Sequence, residues 1–174
     1  MNGREVIRLI SGDITQLEID AIVNAANTRL AGGGGVDGAI HRAAGPQLAA
    51  ACKLIGGCGV GEAVTTEGYH LKARKIIHTV GPIWRGGIFN EAELLASCYK
   101  QSLNEAAKHG CRTVAFPNIS TGIYGFPKDK AAKIAITAIE DYLNQHPDTF
   151  DQIYLVCFDA DNYHIYQQLL KASG

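Results

Sequence analysis

The chain has 174 residues and a formal net charge of −1. At roughly 100–200 residues per domain this predicts one domain, with no basic excess to draw nucleic acid. Its 47% hydrophobic content suits a globular chain that buries a core without metal or disulfide staples. No apolar run reaches the ~18 residues of a membrane span, and no basic start leads into an apolar run as in a signal peptide. The five cysteines (Cys52, Cys58, Cys98, Cys111 and Cys157) are odd in number and lack a zinc or disulfide spacing. They read as free thiols of a reducing, cytoplasmic compartment, and no metal or other cofactor is expected.

In chain order, Val6–Ile10 and Ile19–Val23 are strand-like runs that end at Ser11-Gly12-Asp13 and at Asn24. The glycine run within Thr28–Gly35 excludes regular structure. Asp37 reads as an N-cap, with a helix over Ala39–Ala44 stopped by Gly45-Pro46 and a second short helix over Gln47–Cys52. After another glycine cluster at Gly56–Gly61, Ala63–Thr66 and Lys75–Val80 read as an antiparallel strand pair. Asn90 is expected to cap a helix running to about His109, with Leu94, Leu95, Cys98, Leu103 and Ala106 at helical spacing and Gly110 as its stop. Thr113–Phe116 is a strand. Pro127 opens a helix with an apolar stripe through Ala131, Ala135, Ile139 and Tyr142. Ile153–Phe158 is a buried-type strand. A last helix runs from Asp161 to about Ala172, with Ile165, Tyr166, Leu169 and Leu170 inward. Alternating helix and strand predicts a three-layer α/β/α sandwich around a mixed, mostly parallel central sheet.

Ligands of open α/β sheets bind beyond the carboxyl ends of the strands. Those positions here are Gly-rich or polar: Gly12-Asp13, Asn24–Gly35, Gly81–Arg85, Pro117–Phe126 and Asp159. Gly32–Gly35 and Ser120–Gly125 each precede a helix start, where bare backbone N–H groups and the helix dipole favour an anion, and two such loops suit a diphosphate. Neither matches a Walker loop or a G-x-G-x-x-G turn. Asn24, Asn27 and Asp37 bracket the first loop; they grip sugar hydroxyls and water, or serve as a cap and turn residues. His41, one helical turn after Asp37, pairs with it or is structural. His78 reads as a satisfied core histidine. Asp13 accepts from a base amine or caps a turn at Ile14–Leu17. Phe158 stacks on a ring or belongs to the core. Trp84 covers a ligand or caps the core, and Tyr124 and Phe126 are placed to close over a sugar.

Gly12-Asp13-Ile14-Thr15, Val23-Asn24-Ala25-Ala26-Asn27, Gly32 to His41 (GGGGVDGAIH), His78-Thr79-Val80-Gly81-Pro82 and Ala115 to Gly125 (AFPNISTGIYG) together resemble the macrodomain family. Within it the likeness is to the MacroD-type ADP-ribosyl hydrolases and O-acetyl-ADP-ribose deacetylases, and it runs over nearly the whole chain. The resemblance implies one macrodomain over residues 1–174, with ADP-ribose over the strand ends. Asp13 would hold the adenine amine with Ile14 beside it, and Phe158 would pack on the ring. Gly34, Gly35 and Val36 would flank one side of the diphosphate, and Ser120, Thr121, Gly122, Ile123 and Tyr124 the other. Asn24 would join the ligand-binding set. Asn27 and Asp37 would orient the distal ribose and the attacking water. The Cys58-Gly59-Val60-Gly61 segment departs from the family by lacking a Pro-Thr pair.

The implied reaction is hydrolysis of an acyl ester at the distal ribose. Its substrates would be O-acetyl-ADP-ribose, or proteins carrying mono-ADP-ribose on Asp or Glu, with no membrane or nucleic-acid partner. The alternative is a non-catalytic ADP-ribose reader or a regulatory interaction protein on the same fold.

Overall fold

A computed structural model of the chain describes residues 3–172. A short helix, α1 (Gly3–Val6), leads into β1 (Ile7–Ser11). A single 3-10 turn (Ile14–Gln16) and β2 (Ala21–Ala25) follow, then α2 (Gly35–Ala44) and α3 (Pro46–Ile55). The hairpin β3 (Ala63–Glu67) and β4 (Lys75–Thr79) precedes α4 (Glu91–Lys108), β5 (Thr113–Phe116), α5 (Lys128–Gln145), β6 (Gln152–Cys157) and α6 (Ala160–Ala172). The six strands form one sheet in the order β1-β6-β5-β2-β4-β3. Every pairing is parallel except β3 against β4. None of the described helices is long and apolar enough to cross a membrane.

Side chains along each strand alternate between two cores, as the period of two requires. Ala21, Val23, Ile77, Val114, Phe116, Ile153 and Leu155 face one layer, built from α1, α4, α5 and α6. Ile22, Ile76, Ala115 and Val156 face the other, built from α2 and α3. Each fully buried Ile or Phe in these layers contributes about 1.5–3 kcal/mol. The helices obey their own period: α4 buries Leu95, Cys98, Tyr99, Ser102, Leu103 and Ala106, while α5 buries Ala131, Ala135, Ile139 and Tyr142 among others. All five cysteines are buried and free. Burial raises their thiol pKa values, with Cys58, Cys98 and Cys157 pushed up to about 11.

Several boundaries differ from the sequence reading. β2 ends two residues later than expected, so Asn24 lies inside the strand and not on the loop after it. The cap of α2 is Gly34, and Asp37 sits inside the first helical turn. Asn90 stands before α4 with φ +62° and makes no side-chain cap bond. The polar work there is done by Glu91, whose carboxylate accepts from the N–H groups of Arg85, Gly87 and Phe89 at 2.6–2.8 Å. Burial alone would raise the Glu91 pKa, but these donors outweigh it and hold the carboxyl low. Pro127 is the cap of α5 and the helix begins at Lys128. The segment that departs from the family pattern is tied down: Cys58 N–H donates to Thr28 O at 2.9 Å and Gly61 N–H to Val80 O at 2.8 Å.

Candidate functional site

A cleft of about 750 Å³ opens over the carboxyl ends of the parallel strands. That size suits a nucleotide-like ligand. Its walls come from the segments after β1, β2, β5 and β6, with the start of α2 as one side.

The first wall is the glycine run. Asn27 clamps its base: the amide Nδ2 donates to Gly32 O at 2.9 Å and Oδ1 accepts from Ala31 N–H at 3.1 Å. Gly34 has open space around its Cα, and Gly35 takes φ +57°, so the chain presents bare backbone as it turns into α2. Gly33 to Val36, at the start of that helix, line the cleft, and a helix start with its unpaired N–H groups and dipole favours negative charge. Gly38, one turn in, packs against the Gly33 carbonyl with no room for a Cβ.

Ser120–Tyr124 forms the opposite wall. Ser120 has φ +67°, a left-handed conformation that costs a non-glycine residue of order 1–3 kcal/mol. Surrounding contacts impose it: Phe126 N–H donates to Ser120 O at 2.9 Å, and the Ser120 side chain fills space that a Cβ on Gly81 would occupy. Tyr124 O accepts from Trp84 N–H at 2.8 Å. Trp84 itself packs on Phe126 at a tilt of 53° with ring centroids 4.7 Å apart, beneath the Lys130 ammonium. Trp84 therefore caps the core. Phe126 is buried at 2% exposure and cannot close over a sugar, whereas Tyr124 lines the cleft.

Asp37 and Asn27 converge at one end of the cleft. A Cβ on Gly33 would lie 3.6 Å from Asp37 Oδ2 and 3.9 Å from Asn27 Nδ2. Asp37 is 6% exposed, and its other oxygen, Oδ1, is committed inward. Oδ1 accepts from Asn24 Nδ2 at 2.9 Å and stands 3.4 Å from His41 Nε2. Asn24 is fully buried and belongs to the layer beneath α2, as does His78 beside it in register. His78 Nδ1 lies 3.1 Å from Asn24 Nδ2, and His78 Nε2 lies 3.0 Å from Thr66 Oγ1. Burial, helped by the nearby His41, lowers the His78 pKa to about 4, so the ring is neutral. His41 thus meets Asp37, and His78 is a satisfied core histidine that also reaches the site's second layer.

The far end of the cleft is built differently. Asp13 Oδ1 accepts from Thr15 N–H at 2.9 Å and Thr15 Oγ1 at 2.7 Å, capping the 3-10 turn and leaving Oδ2 with no such bond. Phe158, 89% exposed at the end of β6, is a rim residue and not core. Asp159 accepts from Asn162 N–H and Nδ2, both at 2.8 Å. Burial would raise its pKa, but these bonds and Lys128 hold it low. Lys128 reaches Asp159 at 3.7 Å and Asp161 at 3.5 Å, tying the starts of α5 and α6 together.

Of the residues that the family resemblance assigns to the site, all line this cleft except Asn24, which is sealed behind Asp37. Sequence reasoning missed Arg42, Lys128 and Asn162 on its walls, and it gave Asn118 no role of its own within the Pro117–Phe126 segment. Arg42 carried a usable signal, lying seven residues after Gly35 and so two helical turns along the same face. No group of three or more metal-ligating side chains occurs among the described residues.

The macro domain profile matches residues 23–135. The chain is 56% identical over 172 residues to a macro domain-containing protein of Chlorobaculum tepidum, covering 99% of each. It is 55% identical over 174 residues to a Cronobacter sakazakii protein named O-acetyl-ADP-ribose deacetylase, covering 98% of this chain and 95% of that one. Among solved structures, the Oceanobacillus iheyensis macrodomain with ADP superposes with a TM-score of 0.91 at 42% identity, covering 96% of this chain and 90% of that one. The Trypanosoma brucei macrodomain in complex with ADP-ribose gives 0.89 at 44% identity, covering 97% and 69%. Sheet order, cleft position and these likenesses agree, and the chain belongs to the macro domain family.

Proposed function

We propose that the chain, acting as one domain, hydrolyses acyl esters at the distal ribose of ADP-ribose. The single observation that carries this reading is the convergence of Asp37 Oδ2 and Asn27 Nδ2 over Gly33, at the end of a cleft whose middle offers two small-residue loops and whose far rim offers an exposed aromatic ring. The division suits ADP-ribose part by part. Phe158, Asp13 and Ile14 take the adenine. Gly34, Gly35 and Val36 on one side, and Ser120 to Tyr124 on the other, take the diphosphate. The distal ribose then lies between Asn27 and Asp37.

Asp37 accepts a hydrogen bond from water and fixes its direction of attack on the acyl carbon. A water oxygen–carbon bond forms, the ribose oxygen–carbon bond breaks, the ribose oxygen takes a proton, and the carboxylic acid departs. A carboxylate is a weak base at neutral pH, so positioning supplies most of the benefit. The acyl group is acetate, or an Asp or Glu side chain of a modified protein.

The test measures acetate release from O-acetyl-ADP-ribose, release of ADP-ribose from a Glu-linked protein, and ADP-ribose affinity. Asp37→Ala should keep binding and lose about 10²-fold in kcat. Wild-type protein that binds ADP-ribose tightly but turns over neither ester would overturn the enzyme reading in favour of a reader.

A further inference from the structure

The side chain of Asp37 is oriented by a run of buried hydrogen bonds that ends two strands away. Asp37 Oδ1 meets Asn24 Nδ2, Asn24 Nδ2 meets His78 Nδ1, His78 Nε2 meets Thr66 Oγ1, and Thr66 Oγ1 meets Glu67 O at 3.2 Å. Asn24, His78 and Thr66 are all buried, and the first two are wholly inaccessible.

The direction of every proton in this run follows from its two ends. Asp37 is an acceptor at one end, so the Asn24 atom facing it must be the amide nitrogen. The Thr66 hydroxyl has one proton and spends it on the Glu67 carbonyl, which cannot donate. Asn24 Nδ2 can only donate, so His78 Nδ1 must accept from it, and the neutral ring carries its proton on Nε2 and donates to Thr66 Oγ1. Both amide protons are used, and Asn24 Oδ1 is left buried with no partner. An orphaned buried carbonyl costs about 1–3 kcal/mol. The fold tolerates this cost with both N–H groups aimed at chosen acceptors, one of which is Asp37.

Alternation along the strands explains how the residues meet. Asn24 and His78 are register partners on the parallel pair β2 and β4. They follow Ile22 and Ile76 by two, so both face α2 and its Asp37. A histidine ring spans from β2 to β3, which no shorter side chain at this position does with a nitrogen at each end.

We infer that His78, held as its Nε2–H tautomer by Thr66, is a positioning residue that sets the orientation of Asp37 through the Asn24 amide. The ring never meets substrate. It fixes which way Asn24 faces, and Asn24 fixes Asp37 Oδ1 so that Oδ2 is turned to the cleft. This role rests on the proposed esterase activity.

Two substitutions split the ring's two functions. His78→Asn places an amide oxygen where Nδ1 was and keeps the acceptor for Asn24. His78→Gln places an amide nitrogen where Nε2 was, keeping the Thr66 contact and losing the acceptor. Asn is the shorter by one methylene, so any packing deficit falls harder on His78→Asn than on His78→Gln. With O-acetyl-ADP-ribose, His78→Gln is expected to lower kcat by about 10²-fold, with ADP-ribose affinity unchanged and His78→Asn retaining most of kcat. A role in packing alone would lower kcat in His78→Asn at least as much as in His78→Gln, and that result overturns the inference. The ring nitrogens of the wild-type protein provide a measurement free of folding defects. Their NMR shifts should show Nε2 protonated and Nδ1 bare at neutral pH, and an Nδ1–H tautomer or an imidazolium overturns the inference. If wild type turns over no ester, the esterase reading fails and the positioning role falls with it. If wild type is active and the two variants are alike, only the role of His78 fails.

Discussion

The Cα of Gly38 rests against the carbonyl oxygen of Gly33, so one added methyl group would overlap that oxygen. Gly38→Ala must push the glycine run away from α2, moving backbone that faces the cleft. A cost of about 1–3 kcal/mol in stability is expected, as for other overpacked sites. ADP-ribose affinity should fall with it. Gly34→Ala is the matched control for stability alone, since its φ of −91° suits any residue and nothing lies within 4 Å. Calorimetric melting should separate the two, with Gly34→Ala close to wild type.

Phe158 offers a cleaner test of the far rim, because an 89% exposed ring contributes little to the core. Phe158→Ala should leave thermal stability unchanged. Base–aromatic stacking is worth about 1–3 kcal/mol, so ADP-ribose affinity measured by titration calorimetry should weaken roughly tenfold. Phe158→Tyr should restore it. Unchanged affinity in the alanine variant would place the adenine elsewhere.

The buried imidazole makes stability depend on pH. His78 has a pKa of about 4 when folded against an ordinary value of 6.5, so between these limits the unfolded chain binds a proton that the folded chain does not. Stability then falls as pH falls through that window, by about 3 kcal/mol in total. Asp20 and Asp159 act lower down. Hydrogen bonds outweigh burial and hold both carboxyls low, so their contribution is present at neutral pH and lost as pH drops through their depressed values. Urea unfolding of wild type and His78→Asn at several pH values should show a flatter slope for the variant between pH 6.5 and 4, the bounds set by His78.

Glu91 closes the 85–89 loop by taking three backbone N–H groups. Glu91→Gln keeps the shape but removes the charge that strengthens those bonds. Amide hydrogen exchange at Arg85, Gly87 and Phe89 should accelerate, while exchange in β2 and β5 stays unchanged. Protection equal to wild type would mean that the loop is held by other contacts.

Much of the fold is legible in the sequence. Strand β5 and the stripes of α4 and α5 follow directly from period and stop residues, because apolar spacing decides which face is buried. The antiparallel hairpin is equally legible from two β-rich runs close together. Asn24 was harder. Its strand runs two residues beyond its apolar stretch, since a polar residue can continue a central strand when partners wait beneath it. An asparagine read as loop is thus core. Asp37 looks like a cap because its residue type favours caps, yet Gly34 already starts the helix. The Asn24–His78–Thr66 connection needs three strands in register, which no local pattern encodes. Phe158 is ambiguous in sequence because a phenylalanine at a strand end reads as core. Only the end of β6 at the cleft rim leaves it bare.

The five sequestered thiols give the molecule an internal clock. Burial suppresses thiolate formation at each, and only a thiolate reacts quickly with an alkylating reagent. Cys52 sits in α3, Cys98 in α4 and Cys157 in β6, with Cys58 and Cys111 in the connections. Each modification event therefore records the opening of one neighbourhood, and mass spectrometry orders those openings in time without any engineered label. Ligand in the cleft should slow the clock most at Cys157, whose residue immediately precedes the aromatic rim.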